Sequence, residues 1–169
     1  MPIPVILALV YPACLVWAAV SDIRSMTISN RLTGLLAVAF LPVALACHMT
    51  MAQFGLHIAL GFAGLVFGII LFAFRLMGGG DAKLIAAASL WLGVHGCVDM
   101  LLYTAIAGGA LTLGLMGARQ PIFAGYAAAM PGWVNRHLEP KGDIPYGVAI
   151  CIGGLMAIGQ SDLLSLLGL

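Results

Sequence analysis

Runs of about twenty apolar residues, separated by short stretches that hold most of the charge, constrain this chain more than any other feature. In lipid every backbone N–H and C=O must be satisfied within the segment itself, so such runs are read as transmembrane helices. Six can be marked. The first extends from Pro2 to Val20 and ends in the polar segment Ser21 to Arg31; the second covers Leu32 to Met51 without formal charge. A connection around Gln53 and Gly55 leads to the third, Leu56 to Phe74, closed by Arg75. The fourth starts at Ala82 and reaches about Val94, or Val98 if it is to span; a tight turn over His95 to Asp99 precedes the fifth, Met100 to Ala118. After a long loop from Arg119 to Asp143, the sixth begins at Ile144. The expected architecture is an all-α integral membrane protein with six transmembrane helices, forming a single domain over residues 1–169.

The basic residues orient it. Arg24 and Arg31 fall in the first connection, Arg75 and Lys83 flank the third, and Arg119, Arg136 and Lys141 lie in the fifth; these are the seven Lys and Arg of the chain. Basic residues accumulate in cytoplasmic loops, so the odd connections face the cytoplasm and both termini lie outside it. Met1-Pro2-Ile3-Pro4 has no basic n-region, and the run behind it exceeds a signal-peptide core, which predicts a retained first span in the cytoplasmic (inner) membrane.

Composition excludes other classes. With 63% hydrophobic and 8% charged residues the chain is no soluble domain, and a net charge of +1 supplies no field for nucleic acid. Cys14, Cys47, Cys97 and Cys151 are dispersed and form no CxxC pair, so they read as small apolar side chains. His48, His57, His95 and His137 are too scattered for a metal cluster, and no metal or cofactor is expected. Glycines at 61, 64, 68, 108 and 109 suit close helix packing in lipid.

Against this background the acids stand out. An acid within a transmembrane segment costs on the order of 2.5 to 3.5 kcal/mol and marks a functional position by default. Of the six acids, Asp22 and Asp81 sit at span ends on the same expected face, the second directly behind Gly78-Gly79-Gly80. Those glycines lack a Cβ, which permits left-handed backbone angles and close approach of another chain. Two carboxylates brought within a few ångströms cannot both ionise easily; one holds a proton while the other acts as base, the state in which a pair activates water against a carbonyl. Simpler roles stay open at this level: Asp22 as partner of Arg24 or of backbone N–H groups, Asp81 as a helix cap, Lys83 snorkelling to headgroups or neutralising the pair.

The motifs resemble a known family. Gly78-Gly79-Gly80-Asp81-Ala82-Lys83-Leu84 resembles the GxGD motif, in its GGGDxK form, of the type IV prepilin peptidases. Asp22-Ile23-Arg24 followed by Ile28-Ser29-Asn30 is similar to that family's first aspartate motif, with Ser29 where the motif has proline. Ile144-Pro145-Tyr146-Gly147-Val148-Ala149-Ile150 resembles the opening of its last span. The resemblance implies a GxGD-type aspartyl protease bundle whose catalytic pair is Asp22 and Asp81, with Gly78, Gly79, Gly80, Lys83, Pro145 and Tyr146 binding substrate or supporting the site. The implied partners are membrane lipid and prepilin or pseudopilin substrates, cut at the cytoplasmic membrane face after a short basic leader. Larger relatives carry a cytoplasmic insertion with CxxC motifs and also methylate the new N-terminus. Here the first connection is short and holds no cysteine, so the chain is similar to the Tad/Cpa-type enzymes that serve Flp pili.

The loop from Arg119 to Asp143 mixes Phe123, Tyr126 and Trp133 with Ala, Gly and Pro. That composition suits a segment lying in the membrane interface, either over the aspartates as a guide for the leader or simply on headgroups. Two rival functions are a small ion-coupled transporter, which also places acids at interrupted helices, and a non-catalytic subunit of a secretion machine.

Overall fold

The computed structural model describes residues 3–120, 130–139 and 142–167, and these are helical with no strand among them. Helices α1 (Ile3–Ala8) and α2 (Val10–Ser25) make up the first apolar run. Their break has a local cause, since Pro12 has no N–H and its ring clashes with the carbonyl four residues earlier, that of Ala8. At its other end α2 continues past Val20 into the segment expected to be a polar loop, and stops when Met26 turns left-handed (φ 54°) and donates its N–H to Asp22 O. This places Asp22 in the last helical turn rather than beyond it.

Helix α3 (Asn30–Ala46) starts at Ser29, whose side chain accepts the Leu32 N–H. The residue that departs from the family motif therefore acts as an N-cap, which a proline side chain cannot do. Helix α4 (Met51–Ala73) begins five residues earlier than expected, because Thr50 and Gln53 form a reciprocal capping box that draws the expected connection at Gln53 and Gly55 into the helix.

The largest departure concerns the fourth and fifth runs. They form one 40-residue helical element, α5 (Gly79–Ala118), interrupted at Gly93 with φ 71° and ψ −175°. The break is sharp: Cys97 Sγ lies 3.4 Å from Ser89 O, whereas residues eight apart in an unbroken helix are separated by about 12 Å along the axis. The chain thus reverses at Gly93, ahead of the turn expected at His95 to Asp99, and those residues are helical. Only glycine readily adopts that conformation, and the space where a Cβ would stand is taken by the Asp162 carboxylate.

A short helix α6 (Gly132–Leu138) lies within the long loop; Phe123, Tyr126 and Lys141 fall outside the described residues, while Trp133 is exposed on α6. Helix α7 (Tyr146–Met156) passes into a 3-10 turn (Ala157–Gln160) and α8 (Asp162–Leu167). The sixth run is therefore bent.

By length and hydropathy, Pro4–Ser25, Met51–Ala73 and Gly79–Ala118 can each cross a membrane, and Asn30–Ala46 and Tyr146–Gln160 are shorter apolar helices. At about 1.5 Å per residue α5 would extend some 60 Å if straight, twice the hydrocarbon thickness; the Gly93 reversal divides it into a first arm of about 21 Å, shorter than a full span, and a second of about 38 Å. Large apolar side chains such as Leu45, Phe62, Ile69 and Leu113 are exposed on the outside. A soluble surface does not tolerate apolar area on that scale.

Inside, Trp91 and Tyr11 are fully buried with ring centres 5.6 Å apart; Trp91 Nε1–H donates to Leu36 O and Tyr11 OH to Gly154 O. Each polar tip thus bridges two helices. His57 is a core residue of the same kind, its Nδ1 2.7 Å from Leu90 O and its ring stacked on Phe40. Cys14, Cys97 and Cys151 are buried free thiols, as their dispersion suggested, whereas Cys47 is half-buried. Helix α4 lies so close to the first arm of α5 that a Cβ at Gly68 would sit 2.7 Å from Ala82 Cα. Gly61 and Gly64 face the same arm and Gly108 faces Tyr146, but Gly109 meets nothing within 4 Å and contributes no such contact.

Candidate active site

Asp22 is 6% exposed and Asp81 8%, so both side chains are largely buried. Neither has an ion-pair partner among the described residues; instead each accepts from a backbone N–H at the start of a helix. Gly147, second residue of α7, donates to Asp22 Oδ2 at 2.7 Å. Gly78, which precedes α5, donates to Asp81 Oδ2 at 3.1 Å. The first N–H groups of a helix have no partner inside it and carry partial positive charge, so they suit an anion. The other oxygen of each carboxylate is left over: Asp22 Oδ1 makes no hydrogen bond among the described residues, and Asp81 Oδ1 is buried without one.

The local sequence produces this arrangement. Asp81 is the third residue of α5 and reaches back to the cap, so it does serve the helix start, from within the first turn and not as the N-cap itself. Of the glycines before it, Gly78 and Gly80 act by close approach and not by left-handed backbone. Gly78 has φ −74°, and Gly93 is the glycine with left-handed φ among the described residues. A Cβ at Gly80 would lie 3.1 Å from Ile28 Cβ, so bare glycine admits the segment leading out of α2. A Cβ at Gly78 would lie 3.1 Å from Asp81 Oδ2, whereas at Gly79 it would meet only ordinary contacts with Phe72.

Both aspartates line one cavity of about 750 Å³ between the ends of α2 and α4 and the starts of α5 and α7. Tyr146 is on its wall, and so are Arg75 and Asp143. A smaller space of about 210 Å³ between Asp22 and Asp81 is bounded by Ile28 and the three glycines. Pro145 is buried behind the wall, where it has no N–H to satisfy and precedes the turn that donates to Asp22. Lys83 stands apart. Its Nζ donates to Asn30 Oδ1 at 2.7 Å, tying α5 to the start of α3, and it lines neither space.

Three features escaped the sequence reading. Gly147 belongs to a motif in which only its neighbours Pro145 and Tyr146 were singled out, although a glycine in a helix's first turn beside a carboxylate is itself a signal of close approach. Asp143, at the end of the long loop, shares the aspartates' cavity. Arg119 and His137, which hold the loop against α2, carry no local signal at all.

A carboxylate pair buried at one cavity, with backbone donors on one oxygen of each and the other oxygens unspent, can hold a water and share a proton. The chain matches the type IV leader peptidase family over residues 9–113, more than half its length. It belongs to that family. The matched region contains both aspartates and ends before α6 and α7, so the Gly147 contact lies beyond it. No curated protein and no solved structure matches the chain significantly. Family and apolar helices together support a multi-pass membrane protein with the general activity of a leader peptidase.

Proposed function

We propose that this leader peptidase family member is a membrane-embedded aspartyl endopeptidase in which Asp22 and Asp81 cleave the basic leader from prepilins or pseudopilins. The observation that carries this is the shared cavity, with each buried carboxylate anchored through one oxygen to a helix N-terminus. With one proton between them, the ionised carboxylate removes a proton from water, whose oxygen bonds to the scissile carbonyl carbon. The protonated partner donates to the carbonyl oxygen. The tetrahedral intermediate then collapses: one of its hydroxyls returns a proton to the ionised carboxylate as the C=O re-forms, the C–N bond breaks, and the departing amine takes the proton held by the other carboxylate, which leaves the pair singly protonated. Gly78 and Gly147 keep both carboxylates aimed during this exchange, and no cofactor enters it.

Counting α1 with α2, α3, α4, the two arms of α5, and α7, the chain makes six passes. The basic residues put the α2–α3 and α4–α5 connections in the cytoplasm and both termini outside. The cavity then opens at the cytoplasmic face of the inner membrane, where a leader waits. The short α2–α3 connection fits the Tad/Cpa-type form that serves Flp pili, without the methylation insertion. A transporter reading fares worse, because the acids lie at helix ends instead of near mid-membrane.

The test is reconstitution of the purified chain in liposomes with candidate prepilins and mass analysis of the products. A single cut between leader and mature pilin supports the reading. Intact substrate, with enzyme shown to be folded and correctly inserted, contradicts it.

A further inference from the structure

Helix α6 is attached to the bundle in an unusual way. It has seven residues, too few to be stable alone, and its one buried residue is a histidine. His137 is 7% exposed, and its Nε2 lies 2.7 Å from Ile23 O. A carbonyl only accepts, so Nε2 carries the hydrogen. Ile23 follows Asp22, and its carbonyl is among the last of α2, which the helix leaves without a partner.

The same segment is gripped from its other side by Arg119, at the end of α5. Its Nε–H donates to His137 O at 2.9 Å, while Nη2 donates to Gly142 O at 2.7 Å and to Asp143 O at 3.3 Å. A rigid planar guanidinium presents its donors in a fixed fork and so holds several carbonyls at set positions, whereas a lysine ammonium is a flexible point charge. The three carbonyls belong to the two stretches that meet α2: one delivers His137 to Ile23, and the other leads through Ile144 and Pro145 to Gly147, the donor to Asp22.

We propose that Arg119 and His137 form a clasp that sets the position of Asp22 and act as positioning residues for peptide cleavage. The inference rests on the two-aspartate reading above. His137 fixes the α2 main chain beside Asp22, Arg119 holds both stretches in register, and Gly147 holds the carboxylate itself. Neither clasp residue touches the reacting atoms. Their effect is transmitted through Asp22, so it belongs to turnover and not to substrate affinity.

The test uses the full chain in liposomes, with kcat and KM for a prepilin measured per folded, inserted enzyme. Removing the donor with His137→Leu should lower kcat by about 10- to 100-fold, the scale of a displaced catalytic group, with KM nearly constant. His137→Gln, whose amide N–H can reach the same carbonyl, should recover most of the loss. Arg119→Met should reproduce the kcat defect, and the double variant His137→Leu with Arg119→Met should fall well short of the product of the two losses, because both act on one unit. Wild-type kcat in His137→Leu, no recovery in His137→Gln, or a defect confined to KM overturns the proposal. Should His137→Leu fail to accumulate, wild-type kcat in Arg119→Met overturns it equally. Asp22→Asn, run in parallel, separates the two levels: an inactive Asp22→Asn beside a fully active His137→Leu sinks the clasp alone, while an active Asp22→Asn sinks the two-aspartate reading and the clasp with it.

Discussion

Replacing Gly147 by alanine should disable the enzyme while leaving it folded, and the size of the effect follows from the contact between α7 and α2. A Cβ at this position would stand 2.9 Å from Asp22 Oδ2, 3.0 Å from Asp22 Cβ and 3.1 Å from Asp22 Cγ. The oxygen could swing aside, but Cβ is fixed to the helix backbone. Since carbon atoms pack best at about 3.5 to 4.0 Å, α2 and α7 must separate locally by about 0.5 to 1 Å. That shift stretches the 2.7 Å bond from Gly147 N–H and moves the carboxylate relative to Asp81. A displacement near 1 Å at a reacting group costs on the order of 100-fold in rate, equivalent to about 2.7 kcal/mol of activation free energy. Strain in the folded state should add a stability loss of about 1 to 3 kcal/mol. The assay is prepilin cleavage in liposomes, with kcat per folded enzyme and thermal unfolding in detergent measured on the same preparation. Gly109→Ala, where a Cβ meets nothing within 4 Å, is the control and should leave kcat unchanged. If Gly147→Ala matches wild type in kcat, the claim that this close approach positions Asp22 is refuted.

Other consequences can be checked with the same material. A pair that works with one shared proton loses activity when both carboxylates are protonated and again when both are ionised, so kcat/KM against pH should be bell-shaped; a flat profile over the folded range, with chemistry rate-limiting, would count against it. Gly93→Ala should lower the thermal midpoint in detergent, because its backbone lies in a region other residues enter at a cost of about 1 to 3 kcal/mol and the Asp162 carboxylate occupies the Cβ position. An unchanged midpoint would mean that the reversal does not depend on glycine.

Much of this fold can be read from patterning, since apolar runs and the charges between them separate α2, α3, α4 and α7 directly. Boundaries are less legible where a local cap overrides hydropathy. Thr50 with Gln53 starts α4 inside an expected connection, and Ser29 starts α3 two residues ahead of the apolar run. His95, Cys97 and Asp99 suggest a polar turn, whereas the chain turns at a single glycine, Gly93, whose missing side chain leaves room for the Asp162 carboxylate from a distant part of the sequence. For the site, Asp22 and Asp81 announce themselves as acids at the ends of apolar runs. Their hydrogen-bond donors do not, because both are backbone N–H groups, which every residue but proline possesses. Lys83 looked like part of the site from its place in the motif, yet the helical turn directs it to Asn30. His137 and Arg119 act through main-chain carbonyls far away in sequence, a relation that only the folded chain reveals.

The central claim is that two carboxylates share the hydrolysis. Its most direct test is the cleavage rate of a prepilin by Asp22→Asn and by Asp81→Asn, each in liposomes and each verified as folded and inserted. Asparagine keeps the shape and one acceptor oxygen but can neither take a proton from water as an ionised carboxylate does nor lend one as the acid. The account predicts that each single change abolishes detectable cleavage while the thermal midpoint stays close to wild type. Sustained processing by either variant would contradict it.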